Sequence, residues 1–265
     1  MNVTCIAATR PTDEATNGLI TLMTEDCPEY LHAELLRHKR LVHSWQSHRT
    51  GSYDKGVGFY TPPVFLARRK GMQAGVPLSP LRQTLARMVW HSSNTLAQAA
   101  SAALERLDVA NEQCRRVLPA CHTMNGVITG TESAWQRVLD LRDHDQADSA
   151  MQLLALQIRR EVETAPWKLG ATHMPFVTED VEADPDVWKI CAARIARVSY
   201  GTPGAKANDL KLGERLLASK HWSPFEHVAD LSDKAIVTSA LCCKKEDVWG
   251  VWHWQNLRAQ TEPSY

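Results

Sequence analysis

Neither sign of charge is in excess in this chain: 30 lysines and arginines face 30 aspartates and glutamates over 265 residues. Wrapping duplex nucleic acid requires many phosphate contacts, so a neutral chain argues against that class of partner. It leaves room for a single nucleotide, which a few local arginines can hold. No apolar run approaches the roughly 20 residues of a membrane span. No segment reads as a signal peptide, no CxxC occurs, and the seven cysteines are odd in number and irregularly spaced. Together these features predict reduced thiols in a cytoplasmic protein. Tandem repeats and low-complexity tracts are absent. The length suffices for one large domain, or two small ones, around a sizeable core.

Tryptophan, by contrast, is abundant at nine residues. Trp45, Trp222, Trp252 and Trp254 sit among polar residues and offer flat walls for a ring. Residues 1–10 and 19–25 read as strands from their β-branched and apolar content. Pro28 opens a helix expected to run to about Lys39 on Tyr30, Leu31, Leu35 and Leu36. The span 40–80, rich in glycine and proline, reads as a long irregular stretch of the kind that carries function. Ser79 and Pro80 start a helix to about residue 107, and a short helix from Asn111 stops at Pro119. Thr131 caps a helix to Arg142, and another runs over about 147–163. Residues 164–185 read as a linker. Helices over 186–196 and 208–219, a strand over 231–240 and a last helix over 246–258 complete the expectation.

Two segments carry chemistry. In the first, Arg37, His38 and Lys39 are followed after seven residues by Ser47, His48 and Arg49. Two forked guanidiniums, an ammonium, two imidazoles and a hydroxyl suit phosphate and an anion-forming planar base. The plainer alternative is a solvated basic helix end favoured by the helix dipole. Gly51 would let backbone approach a ligand there. The second segment is His221, Trp222, Ser223, Pro224, Phe225, Glu226 and His227. Its histidine spacing and Pro224 argue against a metal pair, so no metal is expected. Ser223 and Pro224 can start a helix whose N-terminus still offers donors to a phosphate or a ring edge. Arg115 and Arg142, taken alone, are solvated cations near helix ends.

These segments resemble the flavin-dependent thymidylate synthases. That family carries an Arg-His-Arg, seven residues, Ser-x-Arg signature, met here by Arg37, His38, Lys39, Ser47 and Arg49 without a gap. Its Ala-Arg-Val-Ser-aromatic segment matches residues 196–200. Its His-x-Ser-Pro-Phe-Glu-His segment matches 221–227. Its helix ending in Arg-x-Val-Leu-Pro, followed by Leu-Arg, matches Arg115 to Pro119 and Leu141 with Arg142. The order differs from the usual member, in which the segments matched by 196–200 and 221–227 precede the Arg-His-Arg helix. The chain resembles a circularly permuted, phage-type member, with halves 1–163 and 186–265 joined by the linker.

The resemblance implies a single domain of α+β class over 1–265, an antiparallel or mixed sheet flanked by helices. It implies FAD as cofactor, with methylene-tetrahydrofolate and NADPH as co-substrates, and a homotetramer. The implied reaction moves a one-carbon unit to C5 of a pyrimidine nucleotide, dUMP to dTMP. Arg142 takes the catalytic position, stabilising the ring as it loses its N3 proton. Glu34, Arg37, Trp45, Gln46, Ser47, His48, Arg49 and Arg115 take the nucleotide. Arg37, His38, Lys39, Thr131, Glu132, Ser133, Arg137, Ser199, His221, Ser223 and Glu226 line the flavin. Ser44 and Trp45 replace the family's Asn-Glu, Lys39 its second Arg, Thr50 a Tyr, Glu34 a Gln, and Gln146 a His. These departures keep three alternatives open: a pyrimidine nucleotide hydroxymethylase, a dCMP or UMP methylase, and a non-catalytic flavin or nucleotide binder.

Overall fold

The computed structural model describes residues 1–11, 18–47, 58–69, 75–144, 146–199, 204–231 and 255–256. Strand β1 (Asn2–Arg10) runs antiparallel to β2 (Leu19–Pro28), which leads directly into helix α1 (Glu29–Leu35). After β3 (Leu41–Trp45) come the long helix α2 (Pro80–Arg106), the short α3 (Asn111–Cys114) and β4 (Thr123–Thr131). Helices α4 (Glu132–Arg142) and α5 (Ser149–Glu163) follow. Then come β5 (Trp167–Leu169), β6 (Thr172–His173), α6 (Val187–Ala196), α7 (Lys206–Ala218), β7 (Ala229–Asp230) and β8 (Gln255–Asn256). A mixed sheet of order β3-β4-β2-β1-β5 forms the centre, and β6-β7-β8 forms a second small sheet. The fold is α+β.

Alternation along the strands gives the central sheet two faces. Ile20, Leu22, Ile128 and Leu41 point to one, where they bury Leu31 and Leu35 of α1, Trp135, Val138 and Leu139 of α4, and Met151, Leu154 and Ile158 of α5. Leu19, Val42 and Val127 point to the other. There they meet Cys191 and Ile195 of α6, and Val228, Ala229 and Leu231. The two halves of the chain therefore share one sheet.

Several elements depart from expectation. Helix α1 ends at Leu35, four residues early: Arg37 and His38 donate to the carbonyls of Glu34 and Leu35 in a tight turn. The span 40–80 contains β3. Strand β4 is not among the expected elements, because Gly126 and Gly130 depress strand propensity. Both glycines oppose bulky residues of β3, Trp45 and Leu41 respectively. A Cβ on Gly126 would fall 2.5 Å from the Trp45 ring, and one on Gly130 2.3 Å from Leu41. The glycines are grooves for those side chains. The stretch 164–185 carries β5, paired parallel to β1, and β6. Residues 255–256, expected to be helical, pair with β7 as strand. The remainder of the expected 231–240 strand and of the last helix lies outside the described residues.

Helix α2 has an inverted polarity. Its inward side is polar: Gln83 bonds both the N–H and C=O of Phe65, Arg87 donates to the carbonyl of Pro63, and Trp90 Nε1 to that of Tyr60. Its outward side is a stripe of Leu81, Leu85, Met88, Val89 and Leu96, each more than half exposed. The expected apolar spacing exists, but it faces away from the core.

Candidate functional site

Helix α4 begins where Thr131 Oγ1 accepts the N–H of Ala134, and its packed residues Trp135, Val138 and Leu139 hold it on the sheet. Arg142 is its last residue. The turn after α1 lies opposite. Arg142 Nε donates to His38 Nε2 at 3.2 Å, and Arg142 Nη1 meets Glu34 Oε2 at 3.1 Å. Burial, helped by the charges of Arg142, Arg137 and Arg37, lowers the His38 pKa to about 4. At neutral pH the imidazole is therefore uncharged. Since Nε2 accepts the hydrogen bond from Arg142, the ring proton sits on Nδ1. Among the described residues Arg142 Nη2 makes no hydrogen bond. The result is a guanidinium fixed on two sides, by Glu34 and by an imidazole that also feels the charges of Arg137 and Arg37. Such an arrangement favours an anion or a ring gaining negative charge.

On the opposite face, beside the edge strand β3, the turn Ser223–His227 is a short 3-10 helix. Phe225 anchors it in the core against Trp188 and Trp222, at ring separations of 6.0 and 6.2 Å. Ser223 Oγ lies 3.0 Å from Ser44 Oγ, and Ser44 Oγ lies 3.0 Å from His227 Nε2. Glu226 is buried and His221 is exposed. Ser44, one of the departures from the family's signature, thus ties the two key segments together.

The structure brings Glu34, His38 and Arg142 into contact and places the charges of Arg37 and Arg137 beside them. Arg37, Lys39 and Arg137 are exposed. Other expected residues stand elsewhere. Arg115 is buried and lines a cavity of about 440 Å³ with Glu29, Glu112, Arg116 and Leu118, a set that shares no residue with the Arg142 cluster. Trp45 packs over Gly126 and lies 4.7 Å from the His32 ring, so its indole belongs to the sheet face. Gln46 exchanges hydrogen bonds with Asn125. Ser47 is half-buried. Glu132 is engaged by Arg10 at 2.9 Å, and Ser133 Oγ by Thr131 at 3.1 Å. Ser199 closes the 3-10 turn after α6. His48 and Arg49 lie outside the described residues, so the Ser-x-Arg element is placed only through Ser47.

The sequence gives little sign of the buried polar residues Thr21, Thr129 and His173, which line the second face, because threonines at sheet positions look like ordinary strand formers. Nor does it single out His43, whose two ring nitrogens are buried and whose pKa burial lowers to about 3 against a weak opposing contact with the His38 backbone. The described residues hold no cluster of metal-ligand type, and none of their helices is long and apolar enough to cross a membrane.

The family model described as thymidylate synthase complementing protein matches residues 16–167, more than half of the chain and a stretch that includes Arg142, His38 and Glu34. The chain belongs to this family, that of the flavin-dependent thymidylate synthases. Two crystal structures of the UMP/dUMP methylase PolB from Streptomyces cacaoi are similar to it. The one bound with 5-Br UMP is 21% identical with a TM-score of 0.48, covering 54% of this chain and 66% of the other. The one bound with 5-Br dUMP is 22% identical with a TM-score of 0.46, covering 54% and 64%. The match spans just under two thirds of those chains. No curated protein matches by sequence.

Proposed function

We propose that this protein transfers a one-carbon unit to C5 of a pyrimidine nucleotide, converting dUMP to dTMP with methylene-tetrahydrofolate as donor. The observation that carries this reading is the Arg142 guanidinium, held by Glu34 and by a neutral His38 at the centre of a cationic cluster. In the proposed reaction the N3 proton passes to solvent and the uracil ring gains negative charge, and the new bond at C5 forms as the folate C–N bond breaks and the C5 proton leaves. A guanidinium already fixed in place stabilises that charge without reorganising. Glu34 and His38 keep it from rotating away. Arg37 is assigned to the nucleotide from its charge beside the cluster, and Ser47, Arg49 and Arg115 are assigned to it from the resemblance alone.

The residues present fit FAD in their donor chemistry: Arg37, Arg137 and Lys39 offer exposed cations for a diphosphate, and Ser223 offers a half-buried hydroxyl. Those residues, with His38, Ser199, His221 and Glu226, would hold it. When bound and reduced, for example by NADPH, the flavin supplies the hydride that completes the methyl group. We assign the second half of the chain, 186–265, to the part of the fold that usually comes first. The contact of Ser44 with Ser223 and His227 supports that permuted assembly. The exposed stripe of α2 supports a homo-oligomer, a tetramer by the family's pattern, and the cytoplasm is the compartment assigned.

The test is direct. Purified, flavin-loaded protein given reductant, dUMP and methylene-tetrahydrofolate should form dTMP, identified by mass. No product from dUMP, UMP or dCMP defeats the reading.

A further inference from the structure

A chain of buried hydrogen bonds crosses the second face of the sheet and ends at Ser223. Thr9 Oγ1 lies 2.9 Å from His173 Nδ1, and His173 Nε2 lies 2.8 Å from Thr21 Oγ1. Thr21 and Thr129, register partners on β2 and β4, approach to 2.6 Å through their hydroxyls. Thr129 Oγ1 lies 2.8 Å from His227 Nδ1, whose Nε2 continues to Ser44 and so to Ser223. The first six groups are buried, and Ser223 is half-buried.

Proton counting restricts this chain. Each hydroxyl and each neutral imidazole has one proton to donate. Burial lowers the pKa of His173 and His227 to about 3, so both are neutral. Seven groups thus bring seven protons to six links. All links are made when every group donates in the same direction. The one other way is for both neighbours to donate into Thr21, Thr129 or Ser44, whose own buried proton would then go unmade, since among the described residues none of these hydroxyls bonds anything outside the chain. If the chain ran toward Thr9, the spare proton would end on Thr9 Oγ1, which among the described residues bonds nothing besides His173. An unmade buried donor is costly. Run toward Ser223, the spare proton emerges at the half-buried end, where solvent or a ligand can accept it.

We propose that the Thr9–His173–Thr21–Thr129–His227–Ser44 chain fixes Ser223 as an outward hydrogen-bond donor, making it a specificity determinant for an acceptor atom of the bound cofactor. Ser44, Thr129 and His227 are positioning residues that act through Ser223. This rests on the proposed function only in taking the ligand at Ser223 to be flavin; the polarity of the chain is independent of it.

The polarity requires His173 and His227 both to carry the proton on Nε2. Long-range nitrogen–proton spectra of wild-type protein labelled with ¹⁵N-histidine, assigned with His173→Gln and His227→Gln, should show both as neutral Nε2–H tautomers. An Nδ1–H tautomer on either overturns the proposal, and that outcome is read on the wild-type protein itself. Thr129→Val keeps the shape but cuts the chain. It should release His227 into a mixture of tautomers and weaken FAD binding, followed by flavin fluorescence, about tenfold. Thr129→Ser should restore both readouts. FAD binding unchanged in Thr129→Val overturns the role assigned to Ser223. If wild-type protein takes up no FAD, the proposed function and the ligand assigned to Ser223 fall together, while the tautomer spectra still decide the polarity.

Discussion

Arg142 donates to an imidazole, not to a second carboxylate: its Nε–H ends on His38 Nε2 at 3.2 Å. A neutral acceptor fixes the guanidinium without cancelling its charge. Glu34 holds the other edge at 3.1 Å. The pair separates orientation, supplied by His38, from partial charge balance, supplied by Glu34.

Removal of the fork should therefore affect turnover more than affinity. Arg142→Lys keeps a positive charge but can neither bridge Glu34 and His38 nor hold a planar edge toward the ring. Its kcat for dTMP formation should fall by about 10²- to 10³-fold, the scale of losing one preorganised donor, with KM for dUMP changed by a few-fold. His38→Asn retains an acceptor and should lose about tenfold or less. Steady-state kinetics checks this, and an equal loss for the two variants would contradict the division of roles.

Trp45 and Gly126 make a second pair whose coupling can be measured. Gly126→Ala places a methyl 2.5 Å from the indole carbons, so β3 must shift or the ring must leave its seat. Destabilisation of about 1–3 kcal/mol is expected, the usual cost of overpacking. Trp45→Leu should relieve part of it. Urea denaturation of both single variants and the double variant gives the coupling, and strict additivity would mean that the ring had another place to go.

The legible parts of this molecule were those with unambiguous local signals. Pro28, Pro80 and Thr131 marked helix starts at α1, α2 and α4, and the β-branched runs gave β1 and β2. Arg142, His38 and Glu34 were legible only through the signature, since nothing local distinguishes a helix-terminal arginine from a solvated one. β4 was hidden because its glycines serve partners on another strand far away in sequence, Trp45 and Leu41. The buried polar chain was hidden for the same reason. Thr21, Thr129 and His173 take their meaning from one another across the sheet, and no window of sequence contains all three.

Four buried or half-buried histidines set the response to acid. In an unfolded chain each binds its proton near 6.5; in the folded protein His38 does so only near 4, and His43, His173 and His227 near 3. Between those values the unfolded state holds more protons, so stability rises with pH there. The contribution is fully present above about 6.5 and is lost as pH falls through the window. For His173 and His227 the slope is at most roughly 3 kcal/mol per pH unit for the pair. Urea midpoints from pH 7.5 down to 4.5 should decline, and His227→Asn should flatten the decline. A midpoint independent of pH would contradict the neutral, buried state of these rings.

The outward stripe of α2 should be covered by another copy of the chain. Leu81, Met88, Val89 and Leu96 are 71%, 60%, 71% and 72% exposed on one side of a single helix, while Gln83, Arg87 and Trp90 bind the body with polar bonds on the other. A helix of this length presents a strip roughly 40 Å long, and burying each large side chain contributes about 1.5–3 kcal/mol. Leu85→Glu combined with Val89→Glu places four like charges in the contact of two copies and leaves the core untouched. Sedimentation equilibrium should show an oligomer for the wild type and a smaller species for the double variant, with an unchanged urea midpoint for any folded monomer that results. An oligomer of the same size would locate the contact elsewhere.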